Sequence, residues 1–324
     1  MTNRRKAIQL MATATASVAG LHALGNTNSA NTIATFPSGD VAPILIATSP
    51  SGDVARNAGD VARNAGDVAQ LKGNINHSVC RWTYGHLSLD ELCKLGKELG
   101  LKAIDLVGPK DWGTLKTHGL DSSMCNGAEI NLTDGFGDKQ FHETLVKKYT
   151  EHIELVAGAG YKNLICFSGN RKGMDDETGL KNCVEGLKKI IGLAEKKGVV
   201  LQMELLNSRV DHKDYLCDKS AFGVELCKRL GSENFKLLYD IYHMQIDEGD
   251  IIRSITDNHP YFGHYHTAGV PGRHELDDNQ ELNYPAIMYA IVETGFKGYV
   301  AHEFIPMSQD KVLSLRQAVN VCDV

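Results

Sequence analysis

The 324-residue sequence has no apolar run near the ~20 residues that a membrane-spanning helix needs, so no membrane span is expected. It has no CxxC pair either. Its eight cysteines, at 80, 93, 125, 166, 183, 217, 227 and 322, are scattered, which argues against a disulfide scaffold and for small buried hydrophobes. Positive charge is not in excess: Lys and Arg number 34 against 40 Asp and Glu, giving a net charge of −6 and a pI of about 6.1. No global basic field is therefore present to draw nucleic acid or a membrane surface, and neither is expected as a partner. With 42% hydrophobic residues, the chain can bury one large core or two small ones.

The first 73 residues differ from the rest. Residues 1–30 carry adjacent Arg4 and Arg5 followed by a mildly apolar, alanine-rich stretch, the layout of a twin-arginine export signal. A periplasmic or exported location by that route is expected, with the cytoplasm as the alternative. Residues 31–73 read as a linker containing a duplicated heptapeptide, GDVARNA at 52–58 and 59–65. Each copy offers a single strong apolar residue and carries a glycine, so the repeat cannot build a coiled-coil seam.

From residue 74 to 324 the pattern alternates. Short apolar, β-prone runs fall at 76–81, 103–108, 120–125, 163–169, 199–205, 236–242, 261–267 and 299–304, with amphipathic helical stretches between several of them. LSLDELCKLGKELG aligns Leu89, Leu92, Leu95 and Leu99, with Ser88 as N-cap, Glu91 completing a capping box and Gly100 as the stop. NCVEGLKKIIGLAEKKG, 182–198, repeats the helical style and ends at Gly198. Strand and helix alternating around eight strands predict an α/β (β/α)8 TIM barrel. A doubly wound sheet is the competitor, and no GxGxxG follows the first strand to support it.

Ligand-type side chains stand at the ends of the last four strands: Glu204 in VVLQMEL, Asp240 in LLYDIYH, His266 in GHYHT and Glu303 in YVAHEF. Successive strand ends of a closed barrel surround one axial point, so these groups should converge. Carboxylates that close repel one another and take up protons. A divalent cation removes the conflict, and an oxygen-rich set with one imidazole suits Mn, Mg, Co or Zn. Nearby, His243, Arg273, His264, Asn207 and Glu275 are expected to bind a polyhydroxylated or keto-acid substrate or to orient the ligands. The first four strands, including His77, Trp82 and Asp105, assign no role.

LQMELLNSR, LLYDIYHMQ, FGHYHTAGVPGRHE followed by ELNY, and YVAHEF together resemble the xylose isomerase-like barrel family, over about residues 76–310. Within it the resemblance is to hydroxypyruvate isomerases, with ketose 3-epimerases as relatives. It implies that Glu204, Asp240, His266 and Glu303 hold the metal, that Glu204 and Glu303 also transfer protons, and that His243 and Arg273 contact substrate. It implies a metal-dependent isomerase of a small hydroxy-keto acid or sugar, hydroxypyruvate–tartronate semialdehyde in type, possible as a homo-oligomer. A ketose 3-epimerase and a non-catalytic periplasmic sugar-binding barrel are the alternatives. His266 stands where hydroxypyruvate isomerases often have glutamine and the epimerases histidine.

Overall fold

The computed structural model describes residues 70–324. The export segment and nearly all of the linker with its repeat lie outside them. Eight parallel strands close in sequence order into a barrel: β1 (Asn76–Cys80), β2 (Ala103–Val107), β3 (Asp121–Cys125), β4 (Asn163–Cys166), β5 (Val200–Glu204), β6 (Phe235–Asp240), β7 (Phe262–Thr267) and β8 (Tyr299–His302). Closure comes from β1 pairing with β8, Asn76 beside Tyr299 and Val79 beside His302. The connecting helices are α1 (Leu89–Glu98), α2 (Trp112–Thr117), α3 (His142–Ala159), α4 (Asp176–Leu187) and α5 (Ile191–Lys197) in the first half. In the second half they are α6 (Ser220–Leu230), α7 (Ile241–Asp247), α8 (Ile251–Asn258), α9 (Tyr284–Glu293) and α10 (Lys311–Cys322). Among the described residues no helix is long and apolar enough to cross a membrane.

Local chemistry sets the boundaries. Ser88 opens α1 with a complete capping box: its hydroxyl accepts from the Glu91 amide, and Glu91 accepts from the Ser88 amide at 2.8 Å. A cap of this kind contributes about 1 kcal/mol. The stretch 182–198 is two helices rather than one. The Lys189 and Ile190 amides bond only three residues back, to Gly186 and Leu187, which tightens the turn and buries Ile190 before α5 restarts. β6 stops two residues earlier than its apolar run suggests. Asp240 ends the strand and caps α7, its Oδ1 accepting from the His243 amide at 3.2 Å. All eight cysteines are buried free thiols.

The loop ahead of α3 lies against the end of β4 through two amide bonds, Phe136 to the Phe167 carbonyl and Gly137 to the Ser168 carbonyl. Gly135 permits this approach: a Cβ there would sit 2.3 Å from the Gly169 nitrogen and the Phe167 oxygen. Backbone cannot yield as a side chain can. Gly135→Ala is expected to lose about 1–3 kcal/mol, read as a lower urea midpoint; an unchanged midpoint would contradict this packing.

Candidate active site

Four consecutive strands deliver the cluster. Glu204 is the last residue of β5, Asp240 the last of β6, His266 the penultimate residue of β7, and Glu303 the first beyond β8. All four are buried, and one ligand atom from each lies within 4.8 Å of every other. The sequence-derived set thus meets at a single place.

His266 is the pivot. Its Nδ1 lies 2.8 Å from Glu303 Oε2, 3.3 Å from Glu204 Oε1 and 3.9 Å from Asp240 Oδ2. Yet Nδ1 makes no hydrogen bond to any of the three. A buried nitrogen facing three carboxylates and bonded to none of them marks a point where a cation could take the place of the imidazole proton. The donor set, three carboxylates and one imidazole, fits a divalent ion of the Mn, Mg, Co or Zn kind.

Charge is apportioned unevenly around this point. Burial alone would strip the proton from His266, but Glu303 and its other neighbours outweigh burial and hold the imidazole well above its ordinary range. Burial would likewise protonate Glu303, and there His266 and Arg273 win, keeping the carboxyl well below its usual value. For Glu204 and Asp240 burial prevails and pushes both upward. A cation entering the cluster would therefore displace protons.

Around the cluster, Arg273 bonds Glu303 Oε2 and lies 3.5 Å from Asp240 Oδ2. Its guanidinium is held between the rings of Trp82 and Tyr242, at 5.3 and 5.4 Å. Trp82, 46% exposed, also donates its indole N–H to Glu303 Oε1 at 2.8 Å, which fixes that carboxylate from the mouth side.

The tautomer of His243 follows from its neighbours. Asn207 Oδ1 accepts from the Val210 and Asp211 amides, both at 3.0 Å, so the orientation of the side-chain amide is set. Its Nδ2 then donates to Asp211 Oδ2 at 2.7 Å and to His243 Nδ1 at 2.6 Å. The imidazole proton is left on Nε2, which is buried without a hydrogen-bond partner, 3.6 Å from Asp240 Oδ2. Burial, reinforced by Arg273, holds this imidazole neutral. His243 thus presents a spare N–H at the edge of the cluster, and Asn207 acts through it.

Two other expected substrate contacts are placed elsewhere. His264 sits one layer deeper, its Nε2 3.0 Å from Asp105 Oδ2. The Glu275 carboxylate accepts from the Met307 and Ser308 amides and the Ser314 hydroxyl, at 2.8, 2.9 and 2.9 Å, and so ties down the loop after β8 instead of facing the cluster. Conversely, Trp82 and Asp105 belong to the site although sequence assigned them nothing. Asp105 was the single charge in the apolar run AIDLVG, and Trp82 directly follows the first strand but for one residue.

Two cavities open at the two ends of the barrel. One of about 300 Å³ opens on the cluster's face of the barrel, at the ends of β2 to β4, between Leu106, Ile130, Leu132, Ile165 and Phe167. A second of about 610 Å³ lies at the opposite end, among Lys102, Lys162, Lys297 and the first residues of several strands, and touches none of the cluster.

Residues 87–321 match the family of xylose isomerase-like TIM barrels, and the chain belongs to that family. Among named relatives, a 2-oxo-tetronate isomerase of Cupriavidus necator is 35% identical over 123 residues, 38% of this chain and 46% of that protein. The chain thus matches under half of that relative's length. A D-psicose 3-epimerase of Ruminiclostridium cellulolyticum is 29% identical over 199 residues, 57% of this chain and 64% of that protein. In fold, the chain is similar to the crystal structure of an AP endonuclease, family 2, from Brucella melitensis. The TM-score is 0.66 at 24% identity, covering 74% of this chain and 96% of the other.

Proposed function

We propose that the protein is a metal-dependent isomerase of a small hydroxy-keto acid or sugar, interconverting aldose and ketose forms in the manner of hydroxypyruvate and tartronate semialdehyde. The observation that carries this is the pair of glutamates, Glu204 and Glu303, meeting across His266 Nδ1 at 3.3 and 2.8 Å. Two carboxylates facing one point can take a proton from one carbon and return it to its neighbour. Glu204, Asp240, His266 and Glu303 would hold the metal. A divalent cation there would supply Lewis acidity, drawing electrons from the carbonyl and acidifying the adjacent C–H.

The chain's own groups do the rest. Glu303 has its Oε1 fixed by the Trp82 indole and is held ionised by His266 and Arg273, which suits it to accept a proton. Glu204 faces the same point from the other side of His266 Nδ1 and is placed to return one. His243 Nε2–H and the Arg273 guanidinium are donors for substrate oxygens. The relative from Cupriavidus necator, named for an isomerase, supports the reading. Export of the folded, metal-loaded enzyme by the twin-arginine route forms part of the same proposal.

A second reading, a ketose 3-epimerase, uses the same glutamates with the proton returned to the opposite face of one carbon. His266, and the likeness to a psicose epimerase, favour it. One experiment tests both. The protein loaded with Mn or Mg is incubated in heavy water with a panel of keto acids and ketoses, and carbon-bound deuterium is followed by NMR. Label on the neighbouring carbon of a new product supports isomerisation, and label with inverted configuration supports epimerisation. No exchange in any compound refutes the proton-transfer chemistry.

A further inference from the structure

Asp105 is a carboxylate in a strand that is otherwise apolar, and it is fully buried. Such a group costs several kcal/mol to desolvate unless it is paired. Here it is heavily paired. Oδ1 lies 3.0 Å from His266 Nε2 and 3.4 Å from the Cys80 sulfur. Oδ2 receives the Ser123 hydroxyl and lies 3.0 Å from His264 Nε2. Ser123 is itself held by Ser78, oxygen to oxygen at 2.6 Å. With Oδ2 held by the Ser123 hydroxyl, Oδ1 is aimed at His266.

The backbone is distorted at the same place. The pairing of β2 with β3 shifts register on both sides of Asp105. The next residue, Leu106, takes φ 55°, a left-handed conformation that a leucine rarely adopts. A bulge of this kind re-aims a side chain at the expense of about 1–3 kcal/mol of backbone strain. Packing alone gives no reason to accept that strain in order to bury a carboxylate.

We propose that Asp105 is a positioning residue: by accepting the Nε2–H of His266 it fixes that ring's tautomer and orientation, so that Nδ1 presents its lone pair to the point shared with Glu204, Asp240 and Glu303. The inference rests on the reading of that point as a cation site. An imidazole with its proton on Nδ1 would have no lone pair there, and a freely turning ring would offer one only part of the time. A hydrogen-bonded partner behind a ligating imidazole typically matters 10- to 100-fold in metal affinity.

The test uses the full chain, stripped by chelator and titrated with Zn²⁺ against a chromophoric competitor. Asp105→Asn keeps the shape but offers an amide that can donate to Nε2 and drive the proton to Nδ1. It should weaken Zn²⁺ binding about 10- to 100-fold, measured on cation-free protein that still unfolds cooperatively in urea. Equal affinity in variant and wild type would overturn the proposal while leaving the cation site standing. A wild type that takes up no Zn²⁺ would remove both. A second measurement needs no variant: imidazole ¹⁵N–¹H correlations of the Zn²⁺-loaded wild type should show the His266 proton on Nε2. A proton on Nδ1 in the loaded protein would overturn the proposal even if Asp105→Asn failed to fold.

Discussion

Replacing either Glu303 or Glu204 by glutamine should lower turnover about 10²- to 10⁴-fold, the range spanned by a single positioned proton-transfer group. The fold should survive. Both residues sit at strand ends and hold no strand pairing through their side chains, and an amide nearly matches the carboxylate in shape. Removing one of several crowded negative charges also relieves repulsion. Cation-free stability in urea is therefore expected to hold or to rise slightly for Glu204→Gln. Glu303→Gln gives up its ion pair with Arg273 and should gain less.

The two variants should fail differently. If one glutamate removes the carbon-bound proton and the other returns it, each variant keeps exchange with the partner compound that its surviving carboxylate can deprotonate. Incubation in heavy water with each of the two interconverted compounds reads this directly. Zinc or manganese content measured on the same samples separates loss of a base from loss of the cation. Near-normal turnover in either variant with the cation bound would end the assignment of that glutamate. Exchange lost with both compounds in one variant but in neither for the other would point to a single base.

How this site came to be readable in the sequence, and where it did not, has a physical basis. The eight strands stand out because barrel strands are covered on both faces and read as short apolar runs. The four cluster residues stand out because each breaks such a run at its end, where a barrel keeps its polar groups. Boundaries were harder. The run KLLYDIY continues in hydrophobicity past Asp240, but the carboxylate caps α7, so the strand ends there and His243 is delivered on the first turn of the helix. In NCVEGLKKIIGLAEKKG the apolar spacing runs on through 188–190, and nothing local marks the tightened turn that divides α4 from α5.

Partnerships across the chain were not readable at all. Asp105 meets His266 across 161 positions of sequence, and only barrel closure brings them together. Glu275 shows the converse. Its place beside Arg273 and His274 suggested substrate binding, while its acceptors' partners lie 32 to 39 residues onward in the loop and helix after β8. Asn207 is an intermediate case. It is correctly drawn into the site by proximity to Glu204, but its work is on the imidazole of His243 rather than on substrate.

Acid should unfold the barrel earlier than its net charge implies, because of a histidine pair between the strands and the outer layer. His77 of β1 and His302 of β8 stack with ring centroids 5.5 Å apart and 16° between planes, and both are fully buried. His77 Nδ1 approaches His302 Nε2 at 3.3 Å, and His302 Nδ1 pairs with the Thr267 hydroxyl at 3.0 Å, so both rings are used as neutral hydrogen-bonding groups. Burial lowers His77 from 6.5 to about 4, with Asp323 at 3.9 Å offsetting part of the effect. His302 is lowered well below its ordinary value by burial and then by His77. In the unfolded chain each histidine takes up its proton near pH 6.5. As pH falls below that value the unfolded state binds protons that the folded state refuses, so stability declines. His77's contribution is complete above pH 6.5 and is lost progressively down to about 4. At about 1.4 kcal/mol per pH unit, the fall from pH 6.5 to 5 amounts to about 2 kcal/mol from His77 alone. His77→Phe keeps a ring on His302 and removes the titration. Urea unfolding of both proteins at pH 7.5, 6.5 and 5 should show the variant losing about 2 kcal/mol less over the lower interval. Parallel curves would mean that His77 is accommodated as a cation in the folded barrel, with Asp323 close enough to compensate it.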